Sequence, residues 1–156
     1  MTAHIVESGA DASRLALGLI PDGAEVFTAT SQTLAEIGLT AEIDASTRLR
    51  SVRSVLKQMD MATQWHEMRV LGARPDVIVG SVHAITEQGE VVVASASGSQ
   101  LDEAMRRIRE YALPLEDERA QLAYGQGSFI GKELIFYREY MPDRVHVILV
   151  KEKLGF

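Results

Sequence analysis

An α/β fold, built on a largely parallel sheet covered by helices on both faces and carrying a C-terminal antiparallel hairpin, is predicted by three features of this 156-residue sequence. Helical patterns alternate with short apolar runs, the arrangement that produces parallel strands. One of those runs, Asp76 to Gly80, is continuously apolar between its ends, the mark of a strand buried on both faces. Near the C-terminus two β-rich stretches, Glu133–Tyr140 and Arg144–Val150, flank a turn-like Met141-Pro-Asp, which reads as a hairpin.

The elements follow in order. Asp11 to Ile20 reads as a short helix stopped by Pro21-Asp22-Gly23. Ala24 to Ala29 is a short apolar strand ending in small polar residues. Ser31 then caps a helix that runs to Ile37, and Gly38 closes it. The longest helix is predicted from about Ser46 to Leu71, because Leu49, Val52, Leu56, Met59 and Trp65 to Met68 keep near a 3.6-residue rhythm. Gly72 and Pro75 terminate it. Ala84 to Val93 reads as strand, turn at Glu87 to Gly89, and strand. Leu101 to Leu113 is an amphipathic helix ended by Pro114, and Glu116 to Tyr124 forms another short helix. No internal repeat or low-complexity linker appears, so the chain is read as one domain over residues 1–156.

Composition excludes several classes of function. Sixteen basic residues against 22 acidic ones give a net charge of −6, which argues against a general nucleic-acid binder. The arginine-rich stretches Arg48–Lys57 and Arg106–Arg109 read as solvated helix faces with acids close by. Without cysteine the chain can form no disulfide, run no thiol chemistry and ligate no iron–sulfur cluster in the usual way. The first nine residues carry Glu7 and no apolar run, unlike a secretory signal, and no stretch approaches 18 apolar residues. The expectation is a soluble, cytoplasmic protein with no membrane span.

Ligands of open α/β sheets sit beyond the carboxyl ends of the strands. That points to the loops after Val79 and Val93. Ser81, His83, Thr86 and Glu87 follow the first; His83 is a candidate proton acceptor or donor near neutral pH, and Glu87 its orienting group or a base. The same residues also read as a plain hairpin turn, with Gly89 supplying the positive φ. After Val93, Ser95, Ser97, Gly98, Ser99 and Gln100 form a small polar loop before a helix, suited to an anionic group or merely to capping. Gly125 to Lys132 has neither P-loop nor dinucleotide spacing, since Gln126, Ile130 and Glu133 stand where Gly, Gly and Ser/Thr are required; it reads as a flexible turn. His4, His66, His83 and His146 lack metal-ligand spacing, so no metal site is predicted. His66 reads as helix packing beside Trp65, and His146 as the open face of a strand.

The run from Asp76 to Leu101, DVIVGSVHAITEQGEVVVASASGSQL, resembles the central motif of the LUD-domain family, whose members include lactate-utilization protein C subunits. Leu101–Ile108, Leu113–Arg119, Val147–Phe156 and Pro21–Ser31 resemble family segments too. The resemblance implies a Rossmann-like three-layer sandwich akin to the sugar-phosphate isomerase and CoA-transferase superfamily. Taken with the loop positions, the leading reading is a small anionic ligand at Ser81, Thr86, Ser97, Gly98, Ser99 and Gln100, with His83 and Glu87 as candidate catalytic residues. The resemblance further implies a role in oxidation of L-lactate or a related 2-hydroxy acid, beside iron–sulfur partner subunits that hold the clusters this chain cannot. A non-catalytic regulatory or assembly subunit, and an isomerase or CoA-transferase-like enzyme, remain open alternatives, as does a homo-oligomeric state. One departure stands out. The family pattern places roughly thirty residues, about one strand-and-crossover unit, between Gly98–Leu101 and Asp102–Met105, which abut here. Loss of a central strand would leave its neighbours' backbone unpaired, so the expectation is a natural chain longer than 156 residues. An intact mass equal to that of these 156 residues would overturn it.

Overall fold

Small side chains and serine caps set the local structure at the start of the chain. The computed structural model describes residues 1–86, 89–95, 110, 113–127, 132–137 and 139–155. Strand β1 spans Thr2–Val6. Ser8 then caps helix α1, Gly9–Leu19: its Oγ accepts from the Asp11 N–H at 3.2 Å and donates to the Asp11 carboxylate at 2.7 Å. Ala12, Ser13 and Ala16 form the buried stripe of α1. Strand β2 is Glu25–Thr28, with Val26 and Thr28 fully buried. Ser31 caps helix α2, Gln32–Glu36, as its sequence position predicts. Gly38, at φ 73°, ends α2 through its N–H to the Ala35 carbonyl and opens helix α3, Leu39–Ala45. Only a residue without Cβ takes that conformation freely.

The long helix predicted over 46–71 is instead broken into short elements. Strand β3 is Arg50–Ser51, helix α4 Val52–Leu56 and helix α5 Trp65–Ala73. Ser51 Oγ accepts from the Ser54 N–H and so begins α4, while the Asp60 carboxylate takes the Ala62 N–H at 3.0 Å and the Thr63 hydroxyl at 2.7 Å. Such local side-chain bonds offer the backbone an alternative to the helix. The 3.6-residue rhythm belonged to separate pieces. Helix α5 buries no residue, and Trp65 is 56% exposed, so the packing role predicted for His66 beside it is not found.

Strand β4 is Val77–Val79. β3, β2 and β4 form a parallel sheet in that spatial order, with Val26 opposite Ser51 on one side and Val77 on the other. Ile78 is 69% exposed, so β4 is not covered on both faces as its apolar run suggested. Ile20, Ala24, Val26, Leu34, Leu39, Ile43 and Leu49 make the core around this sheet, with Val77, Val79 and Ile148 packed against it. Burying each large aliphatic side chain contributes roughly 1.5–3 kcal/mol.

A second sheet is antiparallel. Strands β5 (Ala84–Ile85) and β6 (Val91–Ser95) form the predicted hairpin, Ala84 opposite Val92, and β7 (Lys132–Phe136) lies on the other side of β6 with Val92 opposite Ile135. Helix α6, Leu113–Tyr124, carries Pro114 in its first turn, where the missing N–H removes no helical bond. Pro114 thus lies in the first turn of a helix. The predicted C-terminal hairpin is corrected: β8, His146–Val150, pairs with β1, and β7 with β6. The physical reason is competition for edges. β6 needs a second neighbour, and β1, not recognised as a strand, supplies the partner β8 requires. The predicted helix over 101–113 lies outside the described residues.

The chain divides into two compact units, residues 4–81 with 148–155, and residues 1–3 with 82–147 and 156. In the first, the C-terminal segment is tied in by the Glu152 carboxylate on the Gly9 N–H and by the Gly155 N–H on Glu36. The protein is a mixed α/β molecule with parallel and antiparallel sheets. Among the described residues no helix is long and apolar enough to cross a membrane.

Candidate functional site

Parallel pairing delivers the loops after β2 and β4 to one edge. The sheet order β3-β2-β4 means that the chain leaves β2 toward one side and returns on the other, so β2 and β4 flank a topological switch point, the usual ligand position in open α/β sheets. The Ala29 N–H continues the ladder to the Val79 carbonyl at 2.8 Å. A Cβ built on Gly80 would stand 3.3 Å from the Ala29 Cβ, so the two loops run side by side. Ser31 Oγ accepts from the Leu34 N–H at 3.1 Å and donates to Ser81 Oγ at 2.8 Å. Ser81 therefore keeps its own hydroxyl proton for another acceptor. Its partner Ser31 was read from sequence as a cap only.

Arg53, on α4, reaches the same edge. Nη1 donates to the Thr28 carbonyl at 2.8 Å and Nη2 to Thr30 Oγ1 at 2.9 Å. The sequence placed Arg53 on a solvated helix face; it is half-buried and oriented by the end of β2. Thr28 Oγ1, fully buried on that strand, has no hydrogen-bond partner among the described residues. Arg106 to Arg109, also read as a solvated face, lie outside the described residues.

His83 and Thr86 fall in the other unit. The His83 N–H donates to the Val92 carbonyl, placing the residue at the start of the β5–β6 hairpin. The residue keeps solvent access, but burial of its ring among protein atoms holds the imidazole pKa below its ordinary value, while the Glu116 carboxylate pulls the other way. Glu116 is gripped by Arg119 through Nε at 2.7 Å and Nη2 at 2.5 Å; those bonds lower its own pKa, against the effect of burial. Glu116 thus acts on His83 through its charge, an influence the sequence does not reveal because more than thirty positions separate them. Thr86 closes the hairpin: its N–H bonds the Glu90 carbonyl, and its hydroxyl both donates to the Glu90 carboxylate at 2.7 Å and accepts from the Glu90 N–H. Gly89, at φ 90°, supplies the turn conformation. Glu87 and Ser97, Gly98, Ser99 and Gln100 lie outside the described residues.

Two other features carry less. A shallow depression is lined by His66, Glu67, Val70, Leu71 and Arg74, all on or at the end of α5, so it is a groove along one exposed helix. His146 Nε2 lies 3.1 Å from the Asp143 carbonyl at the turn before β8. Among the described residues no group of three or more His, Cys, Asp or Glu is arranged to hold a metal ion.

The fold and this edge define an α/β domain with hydroxyl groups and a guanidinium at the carboxyl ends of parallel strands. A family model for the LUD domain matches residues 1–100, and the chain belongs to the LUD-domain family. LUD domains are associated with lactate utilization proteins. No match was found among curated proteins or among solved structures.

Proposed function

We propose that this LUD domain binds a small anionic ligand and supports the oxidation of L-lactate, or a related 2-hydroxy acid, together with partner subunits. The observation that carries the reading is the Ser31–Ser81 hydroxyl pair at the carboxyl ends of β2 and β4, in a chain that matches the LUD family. A hydroxyl with a spare proton at that position suits an anionic oxygen. His83, in the other unit, has its imidazole pKa lowered by burial, which favours the neutral, proton-accepting form. Oxidising a 2-hydroxy acid to the 2-oxo acid removes two electrons and two protons. The chain has no cysteine to carry a cluster. The electrons therefore pass to an iron–sulfur protein partner in this reading, while the Ser31–Ser81 edge binds the acid.

The test is growth on L-lactate as sole carbon source after deletion of the gene, with rescue by the wild-type chain or by Ser81→Ala and His83→Ala chains. Lost growth restored only by the wild type supports the reading. Normal growth, in a host with no second lactate route, overturns it.

A further inference from the structure

The carboxyl end of β2 carries a positive charge that no acid among the described residues meets. Arg53 makes two bonds among the described residues, to the Thr28 carbonyl and to the Thr30 hydroxyl, and neither acceptor is charged. A guanidinium has five N–H donors in a planar fork, so three donors and the full charge stay available. Three other basic groups around this sheet, Arg48, Arg50 and Lys57, differ. Arg48 meets Asp22 at 2.8 Å, Arg50 faces Glu25 at 3.8 Å, and Lys57 meets Asp44 at 3.1 Å. A half-buried arginine fixed by two neutral acceptors is pre-ordered for an anion, because its side chain loses little further freedom on binding.

The hydroxyls beside it point to the same chemistry. Thr30 adjoins Ser31, whose Oγ bonds Ser81 across to the β4 loop, and the Gly80–Ala29 approach keeps the two loops together. Thr30, Ser81 and Arg53 thus sit around one edge at the switch point of a parallel sheet. We propose that Arg53, with the hydroxyls of Thr30 and Ser81, is the binding site for a compact oxyanion: the carboxylate of a 2-hydroxy acid or a phosphoryl group. The fork of Arg53 takes two oxygens side by side, and Ser81 donates to a third polar atom, such as the 2-hydroxyl oxygen. The site rests on the anionic-ligand reading above and names the residues and ligand group that serve it.

The experiment compares thermal unfolding of the wild type, Arg53→Gln and Arg53→Lys with sodium L-lactate, sodium phosphate, or sodium chloride at matched ionic strength. The chloride arm separates binding from general screening. The expected result is a rise in wild-type Tm with L-lactate or phosphate beyond chloride, with affinity falling roughly ten- to hundred-fold in Arg53→Gln. Arg53→Lys is expected to recover only part of it. Stabilisation by phosphate alone, lost in Arg53→Gln, supports the site and removes lactate as its ligand. Stabilisation by L-lactate that is equal in Arg53→Gln keeps the lactate reading and overturns the site, as does the absence of any anion effect on the wild type. Should Arg53→Gln fail to fold, amide NMR of the wild type decides: shifts at Thr30, Ser31, Ser81 and the Arg53 Nε–H support the site, and shifts confined elsewhere overturn it.

Discussion

The two ends of β2 treat charge in opposite ways. At the amino end Arg48 and Arg50 each meet an acid. Arg48 bonds Asp22 and the carbonyls of Leu17 and Ile20, Arg50 faces Glu25 and bonds the Gly23 carbonyl, and the Glu25 N–H is held by Asp76 at 2.8 Å. At the carboxyl end, among the described residues, Arg53 meets only a carbonyl and a hydroxyl. Asp44, one of the two acids on α3, is already taken by Ser51 Oγ and Lys57 Nζ. The amino end uses its charges to fasten α1 and β3 to the sheet. The carboxyl end leaves one in place for something else. A strand's direction therefore sorts structural charge from binding charge, because the loops that can meet a ligand gather at only one edge of a parallel sheet.

The largest expected effect lies in what both ends share. Ile43, fully buried on α3, belongs to the core around β2; Ile43→Ala is expected to cost about 2–5 kcal/mol by urea unfolding. A loss below about 1 kcal/mol would mean that this core does not hold the strand. The comparison itself is broken or kept by the two arginines. Arg48 satisfies carbonyls in and just after the last turn of α1, a helix whose own last turn has no basic residue, so Arg48→Ala is expected to cost about 1–2 kcal/mol. Arg53→Gln, which keeps a donor for Thr28, is expected to cost less than about 1 kcal/mol. Equal losses would make Arg53 a structural group like Arg48.

Smaller effects sharpen the picture. Ser31→Ala removes the α2 cap and the bond to Ser81, and is expected to cost about 1 kcal/mol in the same assay. Ser81→Ala leaves the cap intact, so a loss as large would show that the hydroxyl pair, not the cap, holds the edge. Asp44 gives a pH signature. Burial pushes its carboxyl up, but bonds from Ser51, Lys57 and Ser54 together hold it below its ordinary value. A folded-state pKa below the unfolded one stabilises the protein above the unfolded value, about 3.9, and that stability is lost as pH falls through the folded value. Asp44→Asn is expected to flatten the pH dependence of Tm in that window; an unchanged slope would remove Asp44 from the account. In the other unit, Glu116→Gln is expected to lower the His83 titration midpoint further, read by NMR, because the carboxylate is what opposes burial there. A midpoint that stays in place would separate the two residues.

Local signals were legible wherever a short-range rule decides the structure. Ser31 as a cap, Gly38 as a helix end, the Ala84–Val93 hairpin and the strand over 24–29 all rest on contacts a few residues apart. The helix over 46–71 failed because apolar periodicity counts buried side chains and ignores competing bonds such as those of Asp60. The C-terminal hairpin failed because adjacency in sequence stood in for adjacency in space, and β1 was not seen as a strand. Ser81 is legible as a site residue from its place after an apolar run. Arg53 reads as a surface charge in sequence, since nothing in the residues around it reveals the Thr28 carbonyl 25 positions earlier.

Family membership, the alternation of helices with apolar strands and the absence of thiol chemistry belong to the sequence alone, because they depend on residue identity and short spacing. Strand order and the meeting of Arg53 and Thr30 beside the Ser31–Ser81 pair were decided only in three dimensions. The reason is physical: parallel strands need long crossovers, so the residues that share an edge are necessarily distant along the chain.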